Sequence, residues 1–265
     1  MREKNLLTAI LREEININAS SVNEYLNKNG INIVGKYFSY DKNLDSKNIF
    51  SQINLIVDFH KTLMGCRFEG LSRIGSTIGK EIESYKVQIR RLQRNYDYIL
   101  NNCCQNNVDR LILLEGNNML KQGAESIDYI YKHDYFSAIE RSMNRQEICI
   151  GRVDHGNLRK NKEKFEIGTI KNMTYNLVEE DMYKYIKKLQ RKRINIDEEE
   201  LINIFVHSSH LSFNSLEYLR GLCSYPRDFF RSWERYRQNK KGKTNDEFLA
   251  ELKNSLNYEG KSFFK

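Results

Sequence analysis

Helical periodicity recurs along most of this chain, and a single proline, Pro226, interrupts it. Proline breaks the interior of a helix because its nitrogen has no hydrogen to donate and its ring clashes with the preceding turn. Apolar residues follow the i, i+4, i+7 spacing of a buried helix face in residues 47–64 and 84–100, and the pattern continues through residues 111–130. A further helix is predicted from Tyr135 to Met143. The sequence therefore predicts a mainly α protein.

The character of the sequence changes at residues 147–170. Two short apolar stretches, Ile148–Ile150 and Phe165–Ile170, flank a polar and glycine-containing segment, Gly151–Lys164. This pattern predicts two short strands around a loop. Helical periodicity returns after Asn176 and continues, with breaks, towards the end of the chain.

The first 46 residues carry weaker signals. The stretch from Asn18 to Gly30 is predicted as a capped helix, because serines stand near its start and glycine favours a helix end. Residues 31–40 are predicted as one or two strands. We therefore place a domain boundary here, with residues 1–46 as a small first part and residues 47–265 as a helical domain.

Composition excludes several classes of protein. The five cysteines are odd in number and form no C-x-x-C pair, so the sequence predicts neither a disulfide framework nor a zinc module. No signal peptide and no apolar run of membrane-spanning length is apparent, so we expect a cytoplasmic protein without a membrane span. The formal net charge of +8 fits an anionic partner, and it equally fits a composition that is rich in lysine for other reasons.

Several short stretches between about residues 50 and 240 resemble one protein family. They are Val57–Lys61, Ile78–Lys80, Val108–Arg110, Met173–Leu177, Tyr218–Arg220 and Tyr225–Pro226. Their order and spacing are similar to those of the CotS-type spore coat proteins, which are relatives of aminoglycoside and choline phosphotransferases. The resemblance implies a protein-kinase-like (aminoglycoside phosphotransferase-like) C-terminal lobe with a small β-hairpin at the catalytic-loop position.

The same resemblance carries further expectations. It implies that residues 1–46 are a remnant of the N-terminal lobe, because a complete nucleotide-binding lobe does not fit in so short a segment. It also implies that the partners are other spore coat proteins and that the protein is located in the spore coat. We expect no cofactor.

Kinase-like enzymes place the catalytic aspartate five residues before a metal-binding asparagine. Here the asparagine is Asn157, and Arg152 stands five residues before it. The family's metal-binding D-x-D motif corresponds to Thr169-Ile170-Lys171. By this resemblance Arg152, Thr169 and Lys171 are degenerate catalytic positions, Asn157 is a remnant of a metal ligand, and no metal is expected. Arg152 and Lys171 could together form an anion pocket.

Two further residues are predicted to be structural. His60 matches a packing position of the family, and Asp181 matches a helix residue that supports the catalytic loop. Buried polar side chains that have hydrogen-bond partners are ordinary in protein cores, so neither residue requires a catalytic role.

The sequence thus predicts a catalytically inactive, kinase-like scaffold protein of the spore coat, a pseudokinase and not an enzyme. One alternative is an active small-molecule phosphotransferase with a rearranged site, in which Asp154 and Asn157 hold the metal. A second alternative is a basic, helical nucleic-acid-binding protein, because the basic runs 184–193 and 227–243 alternate with aromatic residues. Helical periodicity places those aromatics on an inner face, so nucleic acid is not the expected partner.

Overall fold

The computed structural model describes six stretches of the chain, residues 22–40, 44–65, 74–102, 104–238, 242–259 and 262–264. The chain divides into two compact units. The first comprises Met1–Thr77 and Arg141–Tyr185, and the second comprises Ile78–Glu140 and Ile186–Lys265. The domain boundary that the sequence suggests at residue 46 stays a prediction.

The structure is mainly helical, with five short strands in the described residues. The strands are β1 (Ile31–Ile33), β2 (Ile148–Cys149), β3 (Leu158–Asn161), β4 (Lys164–Ile167) and β5 (Thr174–Tyr175). Residues 22–28 are helical. The other helices are α1 (Ser46–Leu63), α2 (Lys80–Asn101), α3 (Asn107–Lys132), α4 (Tyr135–Arg145), α5 (Glu179–Arg191), α6 (Glu198–Ser208), α7 (Phe213–Ser224), α8 (Arg227–Arg237) and α9 (Asn245–Tyr258). The predicted mainly α fold with a small β-hairpin is confirmed.

Two small sheets belong to the first unit. In one sheet the strand order is β1-β4-β3, with β1 parallel to β4 and with β3 and β4 forming an antiparallel hairpin. In the other, β2 pairs with β5 in antiparallel register. Helix α1 begins where the Asp45 side chain accepts a hydrogen bond from the backbone N–H of Asn48, and it buries an apolar face that includes Ile53 and Ile56.

The core of the second unit is rich in aromatic side chains. Phe229, Phe230 and Trp233 of α8 are fully buried, as is Leu252 of α9. Asn106 precedes helix α3, and its side chain accepts from the backbone N–H groups of Val108 and Asp109. The inner position predicted for the aromatic residues of the second basic run is therefore observed for Phe229, Phe230 and Trp233, while Tyr236 is partly buried.

Helix α5 differs from the pattern that its sequence suggests. The alternation of apolar and basic residues predicts that Lys187 lies on the solvent-exposed face of this helix, yet Lys187 is fully buried. Its ammonium donates to Glu259 Oε1 at 2.8 Å, and this carboxylate also accepts from the backbone N–H groups of Asp228 and Phe229. A buried ammonium is tolerated because a buried carboxylate neutralises it. Among the described residues, no helix is long and apolar enough to cross a membrane.

One tight helix contact provides a test of this packing. A Cβ atom at Gly221 of α7 would lie 2.3 Å from Cγ1 of Ile130 on α3. Gly221→Ala is expected to lower the free energy of unfolding by about 1–2 kcal/mol, because overpacking outweighs the gain in helix propensity. Urea denaturation measures this change. Gly75→Ala is the control, because no atom lies within 4 Å of its Cβ position; equal stability changes in the two variants would contradict the packing.

Candidate functional site at Asp181 and the loop 151–157

The Asp181 carboxylate is fully buried on α5 and binds three groups. Oδ2 accepts from the backbone N–H of Ile150 at 2.9 Å, and Oδ1 accepts from that of Gly151 at 2.8 Å. The Nε2 atom of His60 lies 3.1 Å from Oδ2. One side chain therefore joins α1, α5 and the chain that leaves β2, which is the start of the loop 151–157.

Cys149 brings a third ligand-type side chain to this place. The atoms of His60, Cys149 and Asp181 that could bind a metal lie within 4.8 Å of one another, so a single transition-metal ion could contact all three. The Cys149 thiol, however, donates to the carbonyl oxygen of Leu177 at 3.0 Å. Burial raises the pKa of Cys149 well above its usual value, and the charge of Asp181 raises it further. A metal would have to displace these hydrogen bonds and bind the thiolate.

The loop 151–157 contains an internal ion pair. The Arg152 Nε atom donates to Asp154 Oδ2 at 2.8 Å, and Oδ1 of the same carboxylate accepts from the backbone N–H of Gly156 at 2.8 Å. The Arg152 guanidinium also lies 4.0 Å from the centre of the Tyr37 ring. Asp154 is buried. Arg152 neutralises its charge, and the two hydrogen bonds together fix the orientation of its carboxylate.

Asn157 connects the same loop to the segment that follows β4. Its Nδ2 atom donates to the carbonyl oxygens of Arg152, at 2.8 Å, and Thr169, at 3.2 Å. Its Oδ1 atom accepts from the backbone N–H of Thr169 at 2.9 Å. Both ends of the amide are therefore used to hold the chain, and the oxygen that a metal would need is bonded to a backbone N–H.

Residues 34–40 lie across this loop. The backbone N–H of Phe38 donates to the carbonyl oxygen of Gly156 at 2.8 Å. At Gly168, a Cβ atom would come within 2.7 Å of the Lys36 carbonyl oxygen. Glycine at this position therefore permits the close approach of the crossing segment.

The structure brings some of the predicted site residues together. Arg152, Asn157 and Thr169 are joined by the Asn157 amide, while Lys171 is exposed and its backbone N–H is 3.3 Å from Thr169 Oγ1. Arg152 already pairs with Asp154, and the proposed anion pocket of Arg152 and Lys171 stays a prediction. The structural roles of His60 and Asp181 also stay predictions, although the two side chains bond to each other.

A buried ion-pair network of the first unit escapes sequence reasoning. The Arg141 guanidinium binds Glu179 through two hydrogen bonds of 2.8 Å and Glu147 through two of 3.0 Å. Burial raises the pKa of Glu147, the charge of Glu179 raises it further, and Arg141 opposes both. Glu147 and Glu179 stand 6 and 38 residues from the arginine, so no local spacing marks the network.

Comparisons with known proteins bear on the fold. No protein-family profile matches the chain, and no curated protein sequence matches it. Among solved structures, the chain is similar to the crystal structure of an aminoglycoside phosphotransferase from Alicyclobacillus acidocaldarius, with a TM-score of 0.65 and 13% sequence identity. The alignment covers 84% of this chain, which spans 65% of that protein's chain. The predicted kinase-like, aminoglycoside phosphotransferase-like fold is confirmed.

The prediction that the chain is not an enzyme is wrong. It depended on the missing carboxylates at Arg152, Thr169 and Lys171. The chain shares its fold with a phosphotransferase, and its described part contains the buried His60–Cys149–Asp181 cluster of ligand-type side chains. Substitutions at two motifs do not establish inactivity, because a fold can support chemistry at residues other than the expected ones.

Asp181 is expected to be a major source of stability in the first unit. Asp181→Ala should lower the free energy of unfolding by about 3 kcal/mol or more, because it leaves two buried backbone N–H groups without an acceptor. Asp181→Asn, which keeps one carbonyl oxygen, should have a smaller effect. Asp58→Ala on the exposed face of α1 is the matched control. Denaturation curves that shift equally for Asp181→Ala and Asp58→Ala would contradict this role.

Proposed function

We propose that the chain is a structural, partner-binding component of the spore coat that uses its phosphotransferase-like fold as a scaffold. Two observations support this proposal. The fold is similar to that of an aminoglycoside phosphotransferase. The sequence also carries stretches that resemble the CotS-type proteins, which are relatives of such enzymes. The partners under this proposal are other coat proteins.

The observation that carries the proposal is the bonding within the loop 151–157. The polar side chains of Asp154 and Asn157 bond to the protein's own Arg152, Gly156 and Thr169. These bonds favour one shape of the loop, because opening it would leave the buried side chains of Asp154 and Asn157 unpaired. A fixed surface suits a component whose task is to bind a partner.

Location tests this function directly. In the organism that encodes the chain, we expect the protein to accumulate during sporulation and to be extracted with the coat fraction of purified spores. Immunoblots of vegetative cells, mother cells and spore fractions measure this, with a cytosolic enzyme as the marker for contamination. A protein that is confined to vegetative cells or to the spore core would overturn the proposal.

Phosphoryl transfer is the second candidate function, because the fold is shared with an aminoglycoside phosphotransferase. Asp154 is a buried carboxylate that the Gly156 N–H and Arg152 hold in a fixed orientation, three residues before Asn157. A carboxylate and an amide in one loop are the residue types that such enzymes use to bind Mg²⁺ and to orient the acceptor hydroxyl. In this candidate Asp154 and Asn157 hold the metal.

Turnover of Mg²⁺-ATP by the purified full chain, with a panel of aminoglycosides as acceptors, tests the second candidate. Asp154→Asn should lower the rate about 100-fold or more, because charge neutralisation and positioning provide most of this catalysis. Asp58→Asn, an exposed position on α1, should leave the rate unchanged. Absence of wild-type turnover would exclude this candidate, and an unaffected Asp154→Asn variant would exclude the role of Asp154.

A further inference from the structure

Helix α8 of the second unit presents a row of arginines. Arg227, Arg231 and Arg235 follow one another at four-residue spacing, which places them on one side of the helix over about 12 Å. The other side of α8 faces the core, where three of its aromatic residues are fully buried: Phe229, Phe230 and Trp233. The row is therefore the cationic outer side of a helix whose position is fixed by packing.

The three arginines differ in their partners. Arg227 lies 3.5 Å from Glu81, and Arg235 lies 3.9 Å from Glu251, both longer than a well-formed charged hydrogen bond. Arg231, at the middle of the row, is exposed. Within the part of the chain that the structure describes, no carboxylate oxygen lies within 4.0 Å of its guanidinium.

A groove of about 510 Å³ lies beside the row, between α2 and α8. Its charged lining residues are Arg91, Arg227, Arg231, Glu81, Glu83 and Glu234. Each glutamate has a cation of its own: Glu81 faces Arg227, Glu83 binds Lys86 at 2.8 Å, and Glu234 binds Arg91 at 2.9 Å. Arg231 is thus the cation of the groove that has no carboxylate among the residues described there.

The surroundings of Arg231 are repulsive. Burial and the neighbouring Arg235 and Arg227 lower the pKa of Arg231, and Arg191 adds to the repulsion. Asp228 opposes them, but its carboxylate also lies 3.7 Å from Arg191. A carboxylate from outside the chain would relieve the repulsion between these cations.

We infer that the row Arg227, Arg231 and Arg235 is a docking surface for an acidic segment of a protein partner, with an Asp or Glu side chain of that segment bound at Arg231. The inference rests on the proposed binding role and adds the chemistry of the partner. Arginine suits this task because its planar guanidinium binds a carboxylate through two hydrogen bonds.

Two observations favour an acidic protein segment over a nucleic acid. Binding of single strands uses exposed aromatic rings on which bases stack. Three of the four aromatic residues of α8 are fully buried, and the fourth, Tyr236, is partly buried and bonds through its hydroxyl to Asp109. The groove also contains Glu81, Glu83 and Glu234, which would repel a continuous run of phosphates. A protein segment carries acidic side chains singly and can avoid these glutamates.

Fluorescence anisotropy with the full chain tests the inference. The probes are a labelled peptide whose glutamates are separated by neutral residues, and a labelled dT octamer, both at low salt. We expect the wild type to bind the peptide more tightly than the oligonucleotide, and Arg231→Gln to weaken peptide binding about fivefold. Arg110→Gln, which removes an exposed arginine of α3, should leave peptide binding unchanged.

Three outcomes would overturn the inference: no peptide binding by the wild type, equal losses in Arg231→Gln and Arg110→Gln, or tighter binding of the oligonucleotide. Circular dichroism of both variants verifies that they are folded. The result is independent of spore localisation. Absence from the coat would remove the proposed function and leave the binding result standing, whereas failed peptide binding would remove only the docking surface.

Discussion

Three segments of the first unit meet at the buried carboxylate of Asp181. The Asp181 carboxylate holds the backbone N–H groups of Ile150 and Gly151, which lie 31 and 30 residues before it, and contacts His60, which lies 121 residues before it. Burial of a carboxylate costs free energy unless both oxygens accept hydrogen bonds. The folded state in which these three segments meet at Asp181 provides those hydrogen bonds. The exit of β2 is thereby fixed, and with it the start of the loop 151–157.

The fixed start of the loop determines what its polar side chains can reach. Asn157 spans from Arg152 to Thr169 and joins the loop 151–157 to the segment that follows β4. Asp154 is neutralised by Arg152, so the loop needs no ion to balance this carboxylate. Residues 34–40 can then cross the loop, since Gly168 has no side chain to obstruct them.

Amphipathic helices could be predicted from sequence and the details of the site could not. Helix α1 spans Ser46–Leu63 against a prediction of 47–64, because its apolar face repeats at the helical period. Strand β3 was not predicted, since Leu158–Asn161 is polar and exposed after its first residue and forms a strand by pairing with β4.

The resemblance pointed to Arg152 and Asn157, but Cys149 and the network around Arg141 depend on contacts between residues that are distant in sequence.

The cationic side chains of the chain fall into two groups: buried or partly buried ones that pair with carboxylates of the chain, and exposed ones such as Arg231. Lys187 is fully buried and Arg152 is partly buried; each has a carboxylate within 2.8 Å, so each stabilises the chain itself. Arg231 is exposed, and its closest charged neighbours are mostly other arginines. Repulsion from these arginines opposes folding, and the Asp228 carboxylate offsets part of it. A carboxylate from a partner would relieve the remaining repulsion, which is why the outer side of α8 is a stronger functional candidate than net charge alone could indicate.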